Sequence, residues 1–436
     1  MKTVKRRRWV VVVVFFAFML LHQSDRLLIG SLPDQIRETF GINRAQFGLV
    51  ISGALLVGTI MYPIWGYLYD RYARPKLLAL AAFIWGSTTW LSAIAPTYGT
   101  FLATRASTGI DDSSYPGLYS LISDYFGPTL RGKIYGLLQI SQPLGFMMGM
   151  ILALMLGGTY GWQRVFFLTG ALGIVLAVII FFTVRDMPRG KSEPEMEGLE
   201  QVGVYRFDWK IARGLFRKPS LLLLFAQGFV GVFPWQVITY FFIDYLLSER
   251  NYADDAIMIT MGTAILVLSL GYFLGGMLGD FFFKRTPRGR MLVSMGGVLM
   301  GAVMLYFTMG VPIDNPSLFM LLLGVTALFI PIASPNVIST VYDVTLPEVR
   351  STALSVQYFM ENIGAATAPA LAGYIADRSS LHLAILTICI STWVLGSILL
   401  ACTAYLVPRD IKVLRSQMRE RAEEERRLQS AKPIQG

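Results

Sequence analysis

Runs of about 20 apolar residues alternate along most of the chain with short polar or charged stretches, and each run is long enough to cross a ~30 Å hydrocarbon core as a helix. The runs are continuously apolar, not alternating, which predicts helices and excludes a strand-built membrane barrel. The first run, Trp9 to Leu21, follows Lys2, Lys5, Arg6, Arg7 and Arg8 and continues through His22, Gln23, Ser24, Asp25 and Arg26 without a small-residue cleavage site. It is expected to stay in place as helix 1. Helices 2 to 6 are expected at about 46–69, 77–95, 100–123, 134–156 and 165–184. The chain then turns charged and proline-bearing from 185 to 219, which reads as a linker with some solvated helix. Helices 7 to 12 follow at about 221–247, 256–280, 291–311, 317–341, 351–375 and 383–407. The expected organisation is a six-helix bundle at 1–184, a linker at 185–219, a second bundle at 220–408 and a fraying helical tail at 409–436.

Lys and Arg sort these segments by side. The N-terminus, the loops after helices 2 and 8, the linker and the tail are base-rich, whereas the turn at Pro96 and the loops after helices 5 and 9 have few bases or none. The expected topology therefore has both ends in the cytoplasm. Composition agrees: 54% of the 436 residues are hydrophobic and only 15% charged, with a mean hydropathy of +0.54, too few charges for a soluble protein of this length. The net charge of +10 lies mainly beside membrane segments, so it points to orientation and anionic lipid and not to nucleic acid. Cys389 and Cys402 lie inside apolar segments and define neither a disulfide framework nor a metal site. No Walker motif is present, so ATP is not the expected driving force.

One charged loop occurs twice. Gly66-Tyr67-Leu68-Tyr69-Asp70-Arg71-Tyr72-Ala73-Arg74-Pro75-Lys76 joins helices 2 and 3. A looser copy, Gly276 to Asp280 followed by Lys284 and Arg285, joins helices 8 and 9. The first copy resembles the Gly-x-x-x-Asp-Arg-x-x-Arg loop of the major facilitator superfamily. That resemblance implies an all-α membrane protein of twelve helices in two pseudo-symmetric bundles, moving a substrate by rocking around a midplane site. It also implies gating roles for Asp70, Arg71, Arg74 and Asp280, with Asp70 meeting a helix N-terminus or a base.

Ionisable side chains inside membrane helices cost ~2.5–3.5 kcal/mol each on insertion scales, so each needs a partner or a role. The first half holds Asp25 and Arg26 on helix 1 and Arg105, Asp111 and Asp112 on helix 4. On a continuous helix, Arg105, Thr108, Asp112, Tyr115 and Tyr119 share a face, and Asp111 points about 100° away. His22, one turn before Asp25, is a weaker candidate for the same pocket. Asp25-Arg26 and Arg105-x-x-x-Gly109-Ile110-x-acid resemble the organic-anion symporter branch of the superfamily. They also resemble the Spinster-like branch, whose helix 4 pattern ends Gly-Ile-Gly-Glu-Ala-Ser-Tyr. Gly161-Trp162-Gln163-Arg164-Val165-Phe166-Phe167-Leu168-Thr169-Gly170 favours the first branch, and Arg350-Ser351-Thr352-Ala353 the second. Either resemblance implies proton coupling by Asp25 and Asp112, with Arg26 and Arg105 as their partners or as anion ligands. The alternative is that these are permanent ion pairs joining helices 1 and 4. Asp111 replaces a Gly of the pattern and has no assigned role.

The second half is poorer in charge. Helix 7 carries Trp235, Gln236 and Tyr240, helix 10 carries Asn336 in the Pro331/Pro335 stretch, where a break would free backbone carbonyls toward a cavity, and helix 11 carries Gln357, Glu361 and Asn362. Glu361 is either a second proton site or a protonated, hydrogen-bonded acid. With Tyr115, and with Gln139 and Gln142 on helix 5, these complete the candidate substrate-binding set. Gln142-Pro143-x-Gly145-x-x-x-Gly149 resembles a motif that lets helices pack closely and bend. The sequence reading is thus a monomeric secondary transporter in a cell inner membrane. It is expected to move a small organic anion with protons, driven by the proton gradient without a cofactor or metal. The alternative cargo is a lysophospholipid or similar amphiphile. A membrane-embedded enzyme is disfavoured, because no nucleophile, metal cluster or cofactor motif is evident.

Overall fold

The structure is a computed structural model that describes residues 2–157, 160–199, 203 and 205–430. Twelve long helical stretches follow one another among the described residues, with no strand between them. They are α1 (Lys2–Ser31), α2 (Arg44–Arg71), α3 (Arg74–Ala93), α4 (98–125, in three pieces), α5 (Pro128–Gly157) and α6 (Trp162–Thr183), then α7 (Pro219–Glu249), α8 (Asp254–Phe283), α9 (Gly289–Met309), α10 (Pro316–Asp343), α11 (Arg350–Arg378) and α12 (Leu381–Ser430). The polar punctuation of the chain sets their starts. Asn43 with Gln46 and Thr97 with Thr100 form reciprocal capping boxes ahead of α2 and α4. Asn315 caps α10, and prolines open α7 and α10 where a missing N–H costs nothing. Nine of the described helices are long and apolar enough to cross a membrane. The other three are α4, which is interrupted, and α3 and α11, which carry more polar residues.

The chain divides into two compact units, one of Met1–Tyr119 with Leu138–Asp186 and one of Ser120–Leu137 with Met187–Gly436. In the first, α3 packs on α6, α1 on α5 and α2 on α4; in the second, α9 packs on α12, α7 on α11 and α8 on α10. Adding six to each number converts one set of pairs into the other, the packing counterpart of the repeated loop. Small residues permit the closest approaches. Gly145 and Gly149 lie on the Leu20 and Ser24 carbonyls of α1, where any Cβ would overlap backbone. The helix 5 motif therefore presses α5 against the part of α1 that carries His22 and Asp25.

Two details differ from the sequence expectation. The tail does not fray after 408: α12 runs without interruption to Ser430, past Pro408. Leu414, Met418 and Ala422 are buried along it, and Arg415 and Arg421 pair with Glu195 and Glu348 at 3.0 and 2.7 Å. Residues 431–436 lie outside the described residues. In the linker, the helical part is short, Trp209–Gly214, capped by Asp208.

Candidate functional site

The site begins with a break. α4 is helical over Tyr98–Ser107, Gly109–Asp112 and Tyr115–Tyr125. At the first interruption the Thr108 hydroxyl donates to the Arg105 carbonyl at 2.7 Å, and near the second Ser113 donates to the Ile110 carbonyl at 3.1 Å. Such local bonds offer the backbone an alternative to the helical ladder. Gly109 lies against the Ala54 carbonyl and Gly58 of α2, a contact no side chain would tolerate. The continuous helical wheel expected for 100–123 therefore fails at its centre. Asp111 does not point away from Asp112: both carboxylates reach the same histidine.

That histidine is His22. Its Nε2 is hydrogen-bonded to Asp111 Oδ2 at 2.6 Å and faces Asp112 Oδ1 at 3.3 Å. Its Nδ1 is 2.7 Å from the Tyr115 hydroxyl. Phe18 stacks on the ring, and Trp85 of α3 meets it edge-on at 5.3 Å. Asp111 is fully buried, and its Oδ1 has no hydrogen-bond partner among the described residues. Asp112 is partly open and lies 3.8 Å from Arg26, whose side chain is 39% exposed. Nε2 and one oxygen of each carboxylate fall within 4.8 Å of one another, a grouping with the residue types to hold a small cation. Two ligands of one first-row metal, each at ~2.0–2.2 Å, would stand about 3.4 Å apart. The 2.6 Å His22–Asp111 separation instead fits a proton lying between nitrogen and oxygen.

Asp25 has a different environment one turn along α1. Thr169 donates to its Oδ1 at 2.6 Å, and Thr89 and the Trp85 indole donate to its Oδ2 at 3.0 and 3.1 Å. Arg105 lies 3.6 Å from Oδ2 with its guanidinium over the Phe166 ring. The two ion pairs thus cross between the helices, Asp25 with Arg105 and Asp112 with Arg26. Three neutral donors and a guanidinium thus converge on Asp25. The sequence reading missed His22's central place, the contact of Asp111 and the donors Trp85, Thr89 and Thr169. The four-residue spacing of Trp85 and Thr89 was the one available signal for a shared polar face on α3.

The remaining candidates are scattered. Gln139 is buried on α5, and Gln142 is half-buried just beyond a break at Ile140. In the second unit, Trp235 and Tyr240 are exposed at 41% and 54%, and Gln236 is half-buried beside them on α7. Asn336 is fully buried and donates to the Gly275 and Ile332 carbonyls at 2.9 Å each, which ties α10 to α8 at the prolines. Gln357 donates to Glu361 at 3.0 Å, and Asn362 donates to the Tyr358 carbonyl.

The gating candidates also separate. Asp70 is completely buried at the end of α2, whereas Arg71 is exposed and donates to the Tyr67 hydroxyl. Arg74 clasps Asp186 at 2.9 Å. Asp280 makes the kind of contact expected of Asp70: it accepts from the backbone N–H of Gly132 and Lys133 near the start of α5, at 3.1 and 2.7 Å, and from Arg290 at 2.6 Å. Arg290 also pairs with Asp343. Arg131 binds Asp343 at 3.3 Å and Glu193 at 2.5 Å, and Arg350 binds Glu193 at 2.5 Å and Asp124 at 3.7 Å. Burial opposes ionisation of Glu193, but Arg131 and Arg350 outweigh it and hold the carboxyl at about 2.

Fold, repeat and buried charges together define a multi-pass membrane transporter. The chain belongs to the Major Facilitator Superfamily, whose model matches residues 14–369 and again 260–432. It is similar to Protein spinster of Drosophila melanogaster, 28% identical over 88% of this chain; the match covers 64% of that longer protein. It is also similar to Protein spinster homolog 1 of Xenopus tropicalis, 25% identical over 92% of this chain and 81% of that protein. The Hexuronate transporter of Bacillus subtilis (strain 168) is 23% identical over 84% of this chain and 88% of that protein. Among solved structures, a bacterial homolog of the human lysosomal transporter Spinster, inward-facing and unoccupied, matches with a TM-score of 0.55 and 20% identity, over 96% of this chain and 98% of that one. Relatives of both branches named by the sequence are therefore present, and the transporter assignment covers nearly the whole chain.

Proposed function

We propose that this chain is a proton-coupled symporter of a small organic anion, a sugar acid or another carboxylate, working as a monomer by alternating access. The observation that carries the reading is Arg26, whose guanidinium reaches accessible space from an otherwise buried cluster while lying 3.8 Å from Asp112. An incoming carboxylate that engages Arg26 weakens its hold on Asp112, and Asp112 then requires a proton to remain in a low-dielectric site. Anion and proton binding become mutually favourable, which is the thermodynamic content of symport. Arg105, already committed to Asp25, keeps α1 and α4 in register. Asp25 is tied to that pair, so Asp112 is the exchanging acid. The base-rich ends support a topology with both termini in the cytoplasm of a cell inner membrane, and in this reading the proton gradient drives transport without a cofactor.

A second reading keeps the fold and the coupling but changes the cargo to a lysophospholipid or similar amphiphile. The exposed Trp235 and Tyr240 on α7 favour it, since such rings suit an acyl chain, as do the spinster relatives. External pH of liposomes holding the purified protein separates the two as glucuronate, other carboxylates and lysophospholipids are added. Alkalinisation with a small acid supports the first reading. Silence toward every small acid, with lysolipid movement instead, would overturn it in favour of the second.

A further inference from the structure

The cluster on α1 and α4 holds three carboxylates, Asp25, Asp111 and Asp112, against two guanidinium groups, Arg26 and Arg105. With a neutral imidazole it carries one uncompensated negative charge, and an unpaired buried charge costs several kcal/mol. Three hydrogen-bond donors and the Arg105 guanidinium converge on Asp25, so the deficit falls on Asp111, whose carboxylate is hydrogen-bonded among the described residues by His22 alone. We propose that His22 is a second proton-binding residue beside Asp112, an imidazolium clamped between Asp111 and Asp112 on one side and Tyr115 on the other.

Both ring nitrogens then act as donors. Nε2–H serves Asp111 at 2.6 Å and leans toward Asp112 at 3.3 Å, and Nδ1–H serves the Tyr115 oxygen at 2.7 Å. No ring nitrogen is left over, which is the arrangement a buried imidazolium requires. Of the other charged groups, Arg26 on its own helix acts on the ring, and Asp25, paired with Arg105 of α4, acts on Asp111. The phenols of Tyr62 and Tyr69 on α2 and of Tyr119 on α4 lie within electrostatic reach of the cluster. Trp85 and Phe18, which pack on the ring, do not titrate in this range. Binding or release of one proton at His22 changes the cluster between neutral and one negative charge. Asp112 touches both His22 and Arg26, so that change reaches the guanidinium offered to the anion. This inference rests on the proposed symport for its role, but the protonation of His22 is a separate measurable fact.

The chain has only two histidines, His22 and His382, which makes the test direct. The full-length protein, labelled with 15N-histidine and reconstituted in liposomes, is measured by solid-state NMR at pH 7 without substrate. The signal assigned to His22 by its loss in His22→Gln is expected to show both ring nitrogens protonated. In Asp111→Asn one nitrogen is expected to become unprotonated at the same pH. A neutral His22 in the unsubstituted protein at pH 7 would overturn the proposal. So would an imidazolium that survives Asp111→Asn, or a metal-bound ring whose signal changes on adding EDTA. Failure of the alkalinisation experiment with every acid would sink the symport reading alone, because the NMR result does not depend on any substrate.

Discussion

Two buried charge clusters, one in each unit, solve the same electrostatic problem differently. In the second unit Arg131, Arg290 and Arg350 face Asp124, Glu193, Asp280 and Asp343, and backbone N–H groups take up the surplus acid: Gly132 and Lys133 on Asp280, and Gly190 on Asp124 at 2.7 Å. These donors cannot titrate, so the network is saturated in one state. In the first unit the surplus acid is met by an imidazole, which can. Saturation by fixed donors makes a clasp, and saturation by a titratable donor makes a switch.

The comparison can be broken from the clasp side first. Arg131→Ala leaves Glu193 and Asp343 short of a fully buried partner and is expected to destabilise by about 3–5 kcal/mol. It should give the largest fall in thermal midpoint among the substitutions discussed. Next comes Asp25→Asn, which leaves Arg105 without its charge partner but keeps an acceptor for Thr169 and Trp85. A loss of about 1.5–3 kcal/mol is expected, read as a smaller midpoint shift; an unchanged midpoint would mean that Asp25 is not held as an anion. The smallest effect is a pH dependence. Glu193 is held at about 2, below its ordinary value of 4.5. Its contribution is therefore fully present above pH 4.5 and lost as pH falls toward 2. The midpoint gap between the unsubstituted protein and Glu193→Gln should stay constant from neutral pH down to about that limit and narrow below it. A gap that widens on acidification would contradict the assignment.

Much of this was legible in the chain. Apolar run lengths placed the twelve helices, the doubled loop announced the repeat, and rare intramembrane charges gathered Asp25, Arg26, Arg105 and Asp112 before any coordinates. Asp111 escaped because a helical wheel presumes unbroken geometry, and side-chain bonds from Thr108 and Ser113 interrupt α4 on both sides of it. His22 escaped because a single imidazole carries little information until its neighbours, 89 and 93 residues away, are known. The donors to Asp25 lie on α3 and α6 and look like ordinary residues of apolar helices. Asn336 illustrates the converse: Pro331 and Pro335 before it marked a break in α10, but the Ile332 carbonyl at that break is met by the Asn336 amide.

The most direct test sets the α1–α4 cluster against Glu361 on α11. Uptake of glucuronate into liposomes, driven by an inward proton gradient, is compared between the unsubstituted protein, Asp112→Asn and Glu361→Gln. The account predicts at least a tenfold loss in Asp112→Asn, equivalent to about 1.4 kcal/mol, and a loss of less than about threefold in Glu361→Gln, whose carboxyl bonds only Gln357 among the described contacts. Full proton-driven uptake by Asp112→Asn, with uptake lost in Glu361→Gln, would place the coupling site in the other unit and contradict the account.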